Sequence, residues 1–569
     1  MSNATLEGQA FSPEQKEYLT GLFAGIAVRG VGFGDVAPNP AEAKPALDDL
    51  IFEERVKSEL HPLDAYQQLV ENAVTNKAPD KEEIFRFKWN GLFFLTPVKD
   101  AFMARLRIPG GVLRTFQLRE LAHIAKDLTT GYVQITTRAN FQMRLIAPKD
   151  TPEFLRRVQS VGLHTRGSGA DNIRNLTANP TSGIDPVELI DVMPFVQDIA
   201  QVIINDRAFY DMPRKFNIAY DGGGLIGSVE DTNDIGVKAV KVGDEVFFRI
   251  ALGGATGHKA FARDLGVIVP PAQINKVVAA LVRVFIANGN RGDRKKARLK
   301  HLLEKWTLDQ YIGETEKLLG FTLTRAPFDA AQMLYPSQTL PHTHVGDYPQ
   351  KQRGLNYVGV TIPVGQITPK QMIRLAEIAD LYGSGEVRLT VWQNLIIPNV
   401  PDAFVPTVKR ALDKAGLGWR QSNITSGIIA CTGNSYCKFA QSCTKEHALA
   451  LGKYLERKLE LDQPVNIHLT GCPNSCAQHY MGDIGLLGTK VKIGGESVDG
   501  YHVFVGGGFG KHQAVGRQIF TGVAAGDLSV TIEKMLRAYL RHREKHESFQ
   551  SFTARHEVGA LQGFFSNGE

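Results

Sequence analysis

All five cysteines of the chain lie between residues 431 and 476. Four of them form two pairs, Cys431-Thr-Gly-Asn-Ser-Tyr-Cys437 and Cys472-Pro-Asn-Ser-Cys476. In a reducing compartment, thiols grouped in this way are typical of metal ligands or redox groups rather than of disulfides. Sulfur ligands of this kind suit an iron-sulfur cluster or a structural zinc ion. The sequence therefore predicts a metal centre held by Cys431, Cys437, Cys472 and Cys476.

The spacing within the pairs favours the cluster over zinc. Zinc ribbons prefer two to four residues between paired cysteines, and the gaps of five and three residues here fit that pattern less well. A helix predicted over 444–461 and a strand over 466–469 separate the pairs, so tertiary structure must bring them together. The fifth cysteine, Cys443, has small polar neighbours and is interpreted as a buried thiol.

Arginine and lysine side chains in the first half of the chain could bind an anion. Each one alone is more typical of a solvated surface than of a binding site. A large anionic ligand would nevertheless need several of them, because an unpaired buried charge is very costly. The candidates are Arg105 and Arg107 in one predicted strand, Arg138 and Arg144 in TTRANFQMR, Arg174 in DNIRN, and Arg214 with Lys215 in PRKFN.

An internal repeat predicts how these residues are positioned. A shift of 254 residues aligns Ile108-Pro109 with Ile362-Pro363, and Asn140 with Asn394. Each copy predicts a strand, a helix and a strand: 104–108, 115–126 and 133–137, then 358–362, 368–380 and 387–391. A second repeat, near 250 residues, relates Asp234-Ile-Gly to Asp483-Ile-Gly. The chain is therefore predicted to be a duplicated α+β protein with a pseudo-twofold axis, mixed sheets, flanking helices and a ligand between its halves.

The predicted division has four parts. Residues 1–85 are an N-terminal helical and extended segment, and 86–160 with 350–420 form paired repeat halves. Residues 161–345 form a first cofactor-binding domain with a helical linker, and 421–569 contain the metal centre. The basic run 290–300 in the linker is interpreted as a solvated helix face.

Composition narrows the class of protein. A formal charge of +6 over 569 residues is too mild to indicate nucleic-acid binding. Residues 1–18 lack the apolar core of a secretory signal, and no apolar stretch approaches the length of a membrane span. A cytoplasmic protein that crosses no membrane is expected.

The motif TGCPNSC at 470–476, with CTGNSYC at 431–437, resembles the siroheme nitrite and sulfite reductase family over nearly the whole chain. The resemblance implies that the four cysteines hold a [4Fe-4S] cluster, that Cys476 also bridges to siroheme, and that siroheme lies between the two halves. It also implies substrate-binding roles for Arg105, Arg174, Lys215 and Asn217. Arg138, Gln142, Arg144 and Arg214 are expected to contact siroheme.

The resemblance implies six-electron reduction of nitrite to ammonium, with sulfite reduction to sulfide as the alternative. Nitrite is favoured because Asn217 stands where the sulfite enzymes have a second lysine, and because the loop 167–174 contains no cysteine. The glycine cluster 506–510 lacks the spacing and the acidic residue of a nucleotide-binding loop. Electrons are therefore expected from a separate ferredoxin or flavodoxin, and the enzyme is expected to be a monomer.

Two other interpretations stay open at this stage. In the first, zinc holds the four cysteines in a binding protein whose arginines contact nucleic acid. In the second, the cofactors are present but the protein is a scaffold, or a subunit that needs a flavoprotein for turnover.

Overall fold

A computed structural model describes residues 47–94, 100–327, 329, 333–334 and 342–567. Residues 1–46 of the predicted N-terminal segment lie outside this part of the chain. In the described ranges the chain is an α+β protein, as predicted, and it contains four β-sheets. No helix in these ranges has the length and apolar character that a membrane crossing requires.

The strands are β1 Leu92–Phe94, β2 Phe102–Arg105, β3 Val112–Arg114, β4 Val133–Ile135, β5 Phe141–Ile146, β6 Ile218–Asp221, β7 Ile235–Val242, β8 Glu245–Leu252, β9 Arg263–Val269, β10 Thr324–Arg325, β11 Met333–Leu334, β12 Gly346–Pro349, β13 Leu355–Val360, β14 Gln366–Ile367, β15 Glu386–Leu389, β16 Leu395–Pro401, β17 Ile428–Ala430, β18 Ile467–Thr470, β19 Ile484–Ile493, β20 Glu496–Val505 and β21 Arg517–Ala524.

The α-helices are Phe52–Glu59, Tyr66–Thr75, Lys81–Arg86, Thr115–Leu128, Thr151–Ser160, Met193–Asn205, Ile274–Asn288, Leu299–Leu302, Leu308–Leu319, Pro369–Tyr382, Val405–Lys414, Thr444–Lys458, Leu528–His542, Phe549–Ala554 and Val558–Asn567.

Two five-stranded sheets form the first repeat, and each takes a strand from the other copy. Their strand orders are β1-β2-β5-β4-β14 and β12-β13-β16-β15-β3. Strand β14 of the second copy pairs with β4 of the first, and β3 of the first pairs with β15 of the second. This reciprocal exchange ties the copies into one unit with a shared apolar core.

The two copies of the first repeat also share unusual backbone angles. Ala139 and Gln393 have φ of 47° and 60°, and Leu145 and Asn399 both have φ of 59°. Non-glycine residues rarely adopt this left-handed region. Its recurrence at an offset of 254 residues shows that the two copies share local geometry as well as sequence pattern.

The other two sheets form the second repeat. In the first, β6 runs parallel to β7 with Ile218 opposite Ile235. In the second, β18 runs parallel to β19 with Ile467 opposite Ile484. Each sheet packs against its own helices around a separate core. The duplicated α+β plan is therefore confirmed, whereas the exact domain boundaries stay a prediction.

Local sequence explains the pair of helices at the centre of the first repeat. Helix Pro369–Tyr382 begins at a capping box. The Thr368 hydroxyl accepts from the backbone amide of Gln371, and the Gln371 side-chain oxygen accepts from the backbone amide of Thr368. Helix Thr115–Leu128 buries Leu118, Leu121 and Ala125 on one face. This helical periodicity was visible in the sequence, and both helices lie within two residues of their predicted limits.

Candidate active site

The four paired cysteines meet at one edge of the last sheet. Cys431 directly follows β17, and Cys472 follows β18 by two residues; because these strands are parallel neighbours, both pairs emerge at the same edge. The Cys431 amide donates to the Leu469 carbonyl at 3.0 Å, and the Gly471 amide donates to the Cys431 sulfur at 3.2 Å. Amide donors to sulfur are among the features that tune iron-sulfur clusters.

The thiols are close enough to influence one another electrostatically. Burial raises the pKa of Cys472, and Cys437 and Cys431 raise it further. Cys443 instead lies beside Ser435, with its sulfur 3.5 Å from the hydroxyl oxygen. It is half-buried rather than fully buried. Among the described residues, no group of three His, Cys, Asp or Glu side chains is arranged to hold a single metal ion.

Cys476 lies at the wall of a concave space. Its side chain is exposed to solvent, yet burial among protein atoms raises its pKa to about 11, and Cys431 adds to the shift. The Cys476 carbonyl accepts from the Thr137 hydroxyl at 2.9 Å, although 339 residues separate the two in sequence. A side chain both reached by solvent and surrounded by protein lines a hollow rather than a convex surface.

Three cations interact electrostatically with Cys476. They are Arg105, Arg138 and Lys215, and burial lowers the pKa of each. Arg174 in turn repels Arg105 and Lys215. We call the space bordered by Cys476 and these four residues the basic hollow. Each of the four is half-buried by solvent exposure, and like charges gathered in one hollow repel one another unless an anion lies among them.

One face of the first sheet contributes several predicted site residues. Arg105 on β2 lies opposite Gln142 on β5, and Arg144 follows Gln142 by two residues, so all three project to the same side. Arg105 donates to the Ser168 carbonyl at 3.4 Å, and its guanidinium lies 5.0 Å from the centre of the Phe93 ring. This face therefore borders both the loop 167–174, through the Ser168 carbonyl, and Cys476, with which Arg105 interacts electrostatically.

Arg144 has partners within the protein. It donates to Gln134 at 3.0 Å and, through one nitrogen, to Gln142 and Thr432 at 2.7 Å each. Arg138 donates a short hydrogen bond to the Asn233 side chain. Burial lowers the pKa of each arginine to about 10, so both stay charged at neutral pH. Their expected contacts with siroheme stay predictions.

Arg174 supports its own loop while keeping one donor unused. Its terminal nitrogens donate to the carbonyls of Ser168 and Ala170, at 2.7 Å each. Its Nε is buried and has no hydrogen-bond partner among the described residues. A buried donor without a partner is uncommon and indicates a missing ligand or water.

Lys215 donates no hydrogen bond to any other described residue, which leaves its ammonium group free to face the basic hollow. Burial lowers its pKa to about 7, and repulsion from Arg298 is the next largest cause. Arg214 has one ion-pair contact instead, between a terminal nitrogen and the carboxylate of Asp171 at 3.5 Å, which leaves its other donors available. The two neighbours in PRKFN therefore differ in availability.

A buried ion pair positions Asn217. The backbone amide of Asn217 donates to the Asp234 carboxylate at 2.9 Å. The same carboxylate accepts three contacts from Arg298, at 2.8, 2.9 and 3.2 Å. The second half of the chain has the equivalent of the Asn217 contact, because the backbone amide of Asn466 donates to the Asp483 carboxylate at 2.7 Å.

The structure corrects the interpretation of the basic run 290–300. Arg298 is buried against Asp234, Arg294 binds Asp171 with two contacts at 2.7 and 2.8 Å, and Arg291 lies 3.0 Å from Glu54. Only a 3-10 turn and a four-residue helix, Leu299–Leu302, form here. Three arginines of the run thus fix the segments around the site rather than solvating a helix face.

Sequence reasoning missed Asp234 and Arg298 as positioning residues. The repeated Asp-Ile-Gly motif did identify Asp234 and Asp483 as matched positions, and that signal could have led to the buried carboxylate. The arginine lies 64 residues away, and no local pattern pairs it with the aspartate.

The glycine cluster 506–510 packs against its own chain. A side-chain carbon added at Gly507 would lie 2.5 Å from the Gly482 carbonyl oxygen, and one at Gly508 would lie 2.0 Å from that of His512. Gly506 adopts a left-handed φ of 77°. The cluster is therefore a tight turn packed against neighbouring backbone.

Two family models match most of the chain. The model for the nitrite and sulphite reductase 4Fe-4S domain matches residues 169–323 and 423–559. The model for the nitrite/sulfite reductase ferredoxin-like half domain matches 97–161 and 348–415. Each model matches twice, in agreement with the internal duplication.

Full-length relatives give the same result. Ferredoxin–nitrite reductase of Synechococcus elongatus is 38% identical over 459 residues, which cover 79% of this chain and 88% of the relative. The ferredoxin–nitrite reductase of Leptolyngbya laminosa is 36% identical over 515 residues, which cover 88% of this chain and 99% of the relative. The solved structure of the NirA protein of Mycobacterium tuberculosis superposes with a TM-score of 0.84 at 30% identity, covering 90% of this chain and 97% of that one.

Proposed function

The chain belongs to the nitrite and sulphite reductase family, and from that premise we propose that it reduces nitrite to ammonium with electrons from ferredoxin. The observation that carries the proposal is the basic hollow, in which cations from the first half of the chain face a cysteine from the second. Relatives named ferredoxin–nitrite reductase support the choice of substrate and donor.

The proposed cofactors are a [4Fe-4S] cluster on Cys431, Cys437, Cys472 and Cys476, and siroheme in the basic hollow. The donor set fits a cluster, since the two cysteine pairs follow parallel neighbouring strands, Cys476 interacts electrostatically with the other three thiols, and a backbone amide donates to the Cys431 sulfur. The hollow fits a tetrapyrrole with many carboxylates because it gathers four cations that form no ion pair with a carboxylate of the described residues. When bound, siroheme supplies the iron at which the anion is reduced, and the cluster supplies electrons.

The protein's own residues bind and orient the anion. Arg105, Arg174 and Lys215 surround the side of the hollow where an anion would be held, and fixed cations stabilise charge that develops during reduction. Arg174 contributes the buried Nε that has no partner in the described part of the chain. Arg138 and Arg214, with Gln142, are proposed to bind the siroheme carboxylates.

Lys215 is the proposed proton donor. Reduction of nitrite to ammonium consumes six electrons and eight protons, so a group that exchanges protons near neutral pH is useful at the site. Its pKa of about 7 meets that requirement, and its ammonium group makes no competing hydrogen bond to the described residues. Because Cys476 at the same hollow is exposed to solvent, bulk water can resupply the proton to Lys215.

Sulfite reduction is the second candidate, because the family models cover both anions. Asn217 favours nitrite. It adds a neutral amide where a second lysine would add a cation, and a monoanion needs less positive charge than the dianion sulfite. Flavodoxin as donor, a cytoplasmic location and a monomeric state stay predictions.

Steady-state kinetics with reduced ferredoxin, nitrite and sulfite on one preparation test the proposal. We expect ammonium to form at one molecule per six electrons consumed, and kcat/KM for nitrite to exceed that for sulfite. A higher kcat/KM for sulfite would overturn the choice of substrate. Intact cofactors without turnover of either anion would favour the scaffold interpretation instead.

A further inference from the structure

Arg144 joins the first sheet to both ends of the loop between Cys431 and Cys437. The residue is 3% exposed and projects from β5. One of its nitrogens donates to the Thr432 hydroxyl at 2.7 Å, and its guanidinium carbon lies 5.3 Å from the centre of the Tyr436 ring. Thr432 follows one cysteine of the pair and Tyr436 precedes the other, so one side chain contacts both ends of the ligand loop.

The guanidinium is fixed independently of the loop. Its Nε donates to Gln134 at 3.0 Å, and the nitrogen that reaches Thr432 also donates to Gln142 at 2.7 Å. Gln134 and Gln142 are opposite each other on β4 and β5. Arginine has a planar, rigid set of donors, and such a set loses little conformational freedom when it binds. The first repeat therefore presents a preset surface on which the cysteine loop docks.

No carboxylate in the described part of the chain balances the charge of Arg144. Its hydrogen-bond partners among the described residues are two amides and a hydroxyl. Tyr132 and Cys437 interact with it electrostatically. A buried cation without a carboxylate partner is stable only beside another negative group. The thiolates of the ligand set are such a group.

We propose that Arg144 is a positioning residue for the Cys431–Cys437 loop and that its charge raises the reduction potential of the iron-sulfur cluster. The inference rests on the proposed function only in that the loop holds a cluster. Reduction adds one electron from a low-potential protein donor and makes the cluster one charge more negative. A fixed cation nearby stabilises that reduced form. This role differs from the siroheme contact expected of Arg144.

The test is a redox titration of holoenzyme variants, monitored by electron paramagnetic resonance of the reduced cluster. In Arg144→Gln we expect the ratio of reduced to oxidised cluster at a fixed solution potential to fall about tenfold, the change that 59 mV produces for one electron. Arg144→Lys keeps the charge and should stay within about twofold of wild type. Thr432→Val removes one hydrogen bond without changing charge and is the matched control.

Iron content and visible absorbance separate the outcomes. Iron in the wild-type protein reports on the proposed function, whereas differences between variants report on Arg144. An unchanged potential in Arg144→Gln would overturn the electrostatic role, as would an equal fall in Arg144→Lys. Loss of siroheme absorbance with iron retained would show that Arg144 contacts the tetrapyrrole instead. If Arg144→Gln loses iron, Arg144→Lys decides. A lysine variant that keeps both its iron and the wild-type reduction potential supports the proposal, and a lysine variant that loses both overturns it.

Discussion

Replacement of Asp234 by Asn should destabilise the protein far more than the same change at Asp483. The two residues are matched by the internal repeat, and each accepts a hydrogen bond from the backbone amide of an asparagine 17 residues earlier. They differ in charge balance. Asp234 is 0% exposed and binds Arg298, whereas Asp483 forms no ion pair with any described residue.

The magnitudes follow from this difference. Asn at 234 keeps an acceptor for the Asn217 amide but leaves Arg298 as an unpaired buried cation, which costs about 3–5 kcal/mol. For a unit of 150–250 residues, that loss lowers the melting temperature by about 6–20 °C. Burial raises the pKa of Asp483 to about 7, so this carboxyl is already largely neutral at pH 6. Asn at 483 should therefore cost about 1 kcal/mol or less there.

Differential scanning calorimetry at pH 6 on the two variants measures the contrast. The double variant Asp234→Asn/Arg298→Met removes both charges and should recover most of the lost stability, because an apolar replacement of a buried pair is often tolerated. Equal melting temperatures for the two single variants would show that the unpaired charge of Arg298 does not destabilise the protein. A double variant no more stable than Asp234→Asn would show the same.

Three further predictions concern the site. Burial lowers the pKa of Lys215 to about 7, so its charged fraction falls as pH rises through that value; kcat/KM for nitrite should fall roughly tenfold per pH unit above 7, and Lys215→Met should lack this dependence. Cys472→Ser should lose cluster iron whereas Cys443→Ser should keep it, as measured by iron analysis. Asn217→Lys should raise kcat/KM for sulfite relative to nitrite by about tenfold, through added charge at the hollow, in parallel assays.

Much of the fold was accessible from the sequence because its signals are local. Helices Thr115–Leu128 and Pro369–Tyr382 carry an apolar periodicity that any window of their length reveals. The offset of 254 residues then predicted duplication without knowledge of any contact. The exchange of β3 and β14 between the copies was not predicted. It depends on how two similar sheets pair at their edges, and neither short strand signals its partner.

The site was accessible in part. Residue types and spacing identified the four cysteines, and the structure brings both pairs to one sheet edge. The arginines were chosen as a group without distinct roles. Arg144 reaches Thr432 across 288 residues, and Arg298 reaches Asp234 across 64. Contacts of that range are set by tertiary packing, so the sequence alone could not separate arginines that border the basic hollow from those that pair within the protein.

Metal and chromophore analysis of the purified holoenzyme shows whether the four cysteines hold iron beside siroheme. We expect about five iron atoms per chain, four in the cluster and one in siroheme, together with strong visible absorbance. A colourless protein that contains about one zinc ion per chain and no iron would overturn the proposed cofactors and function.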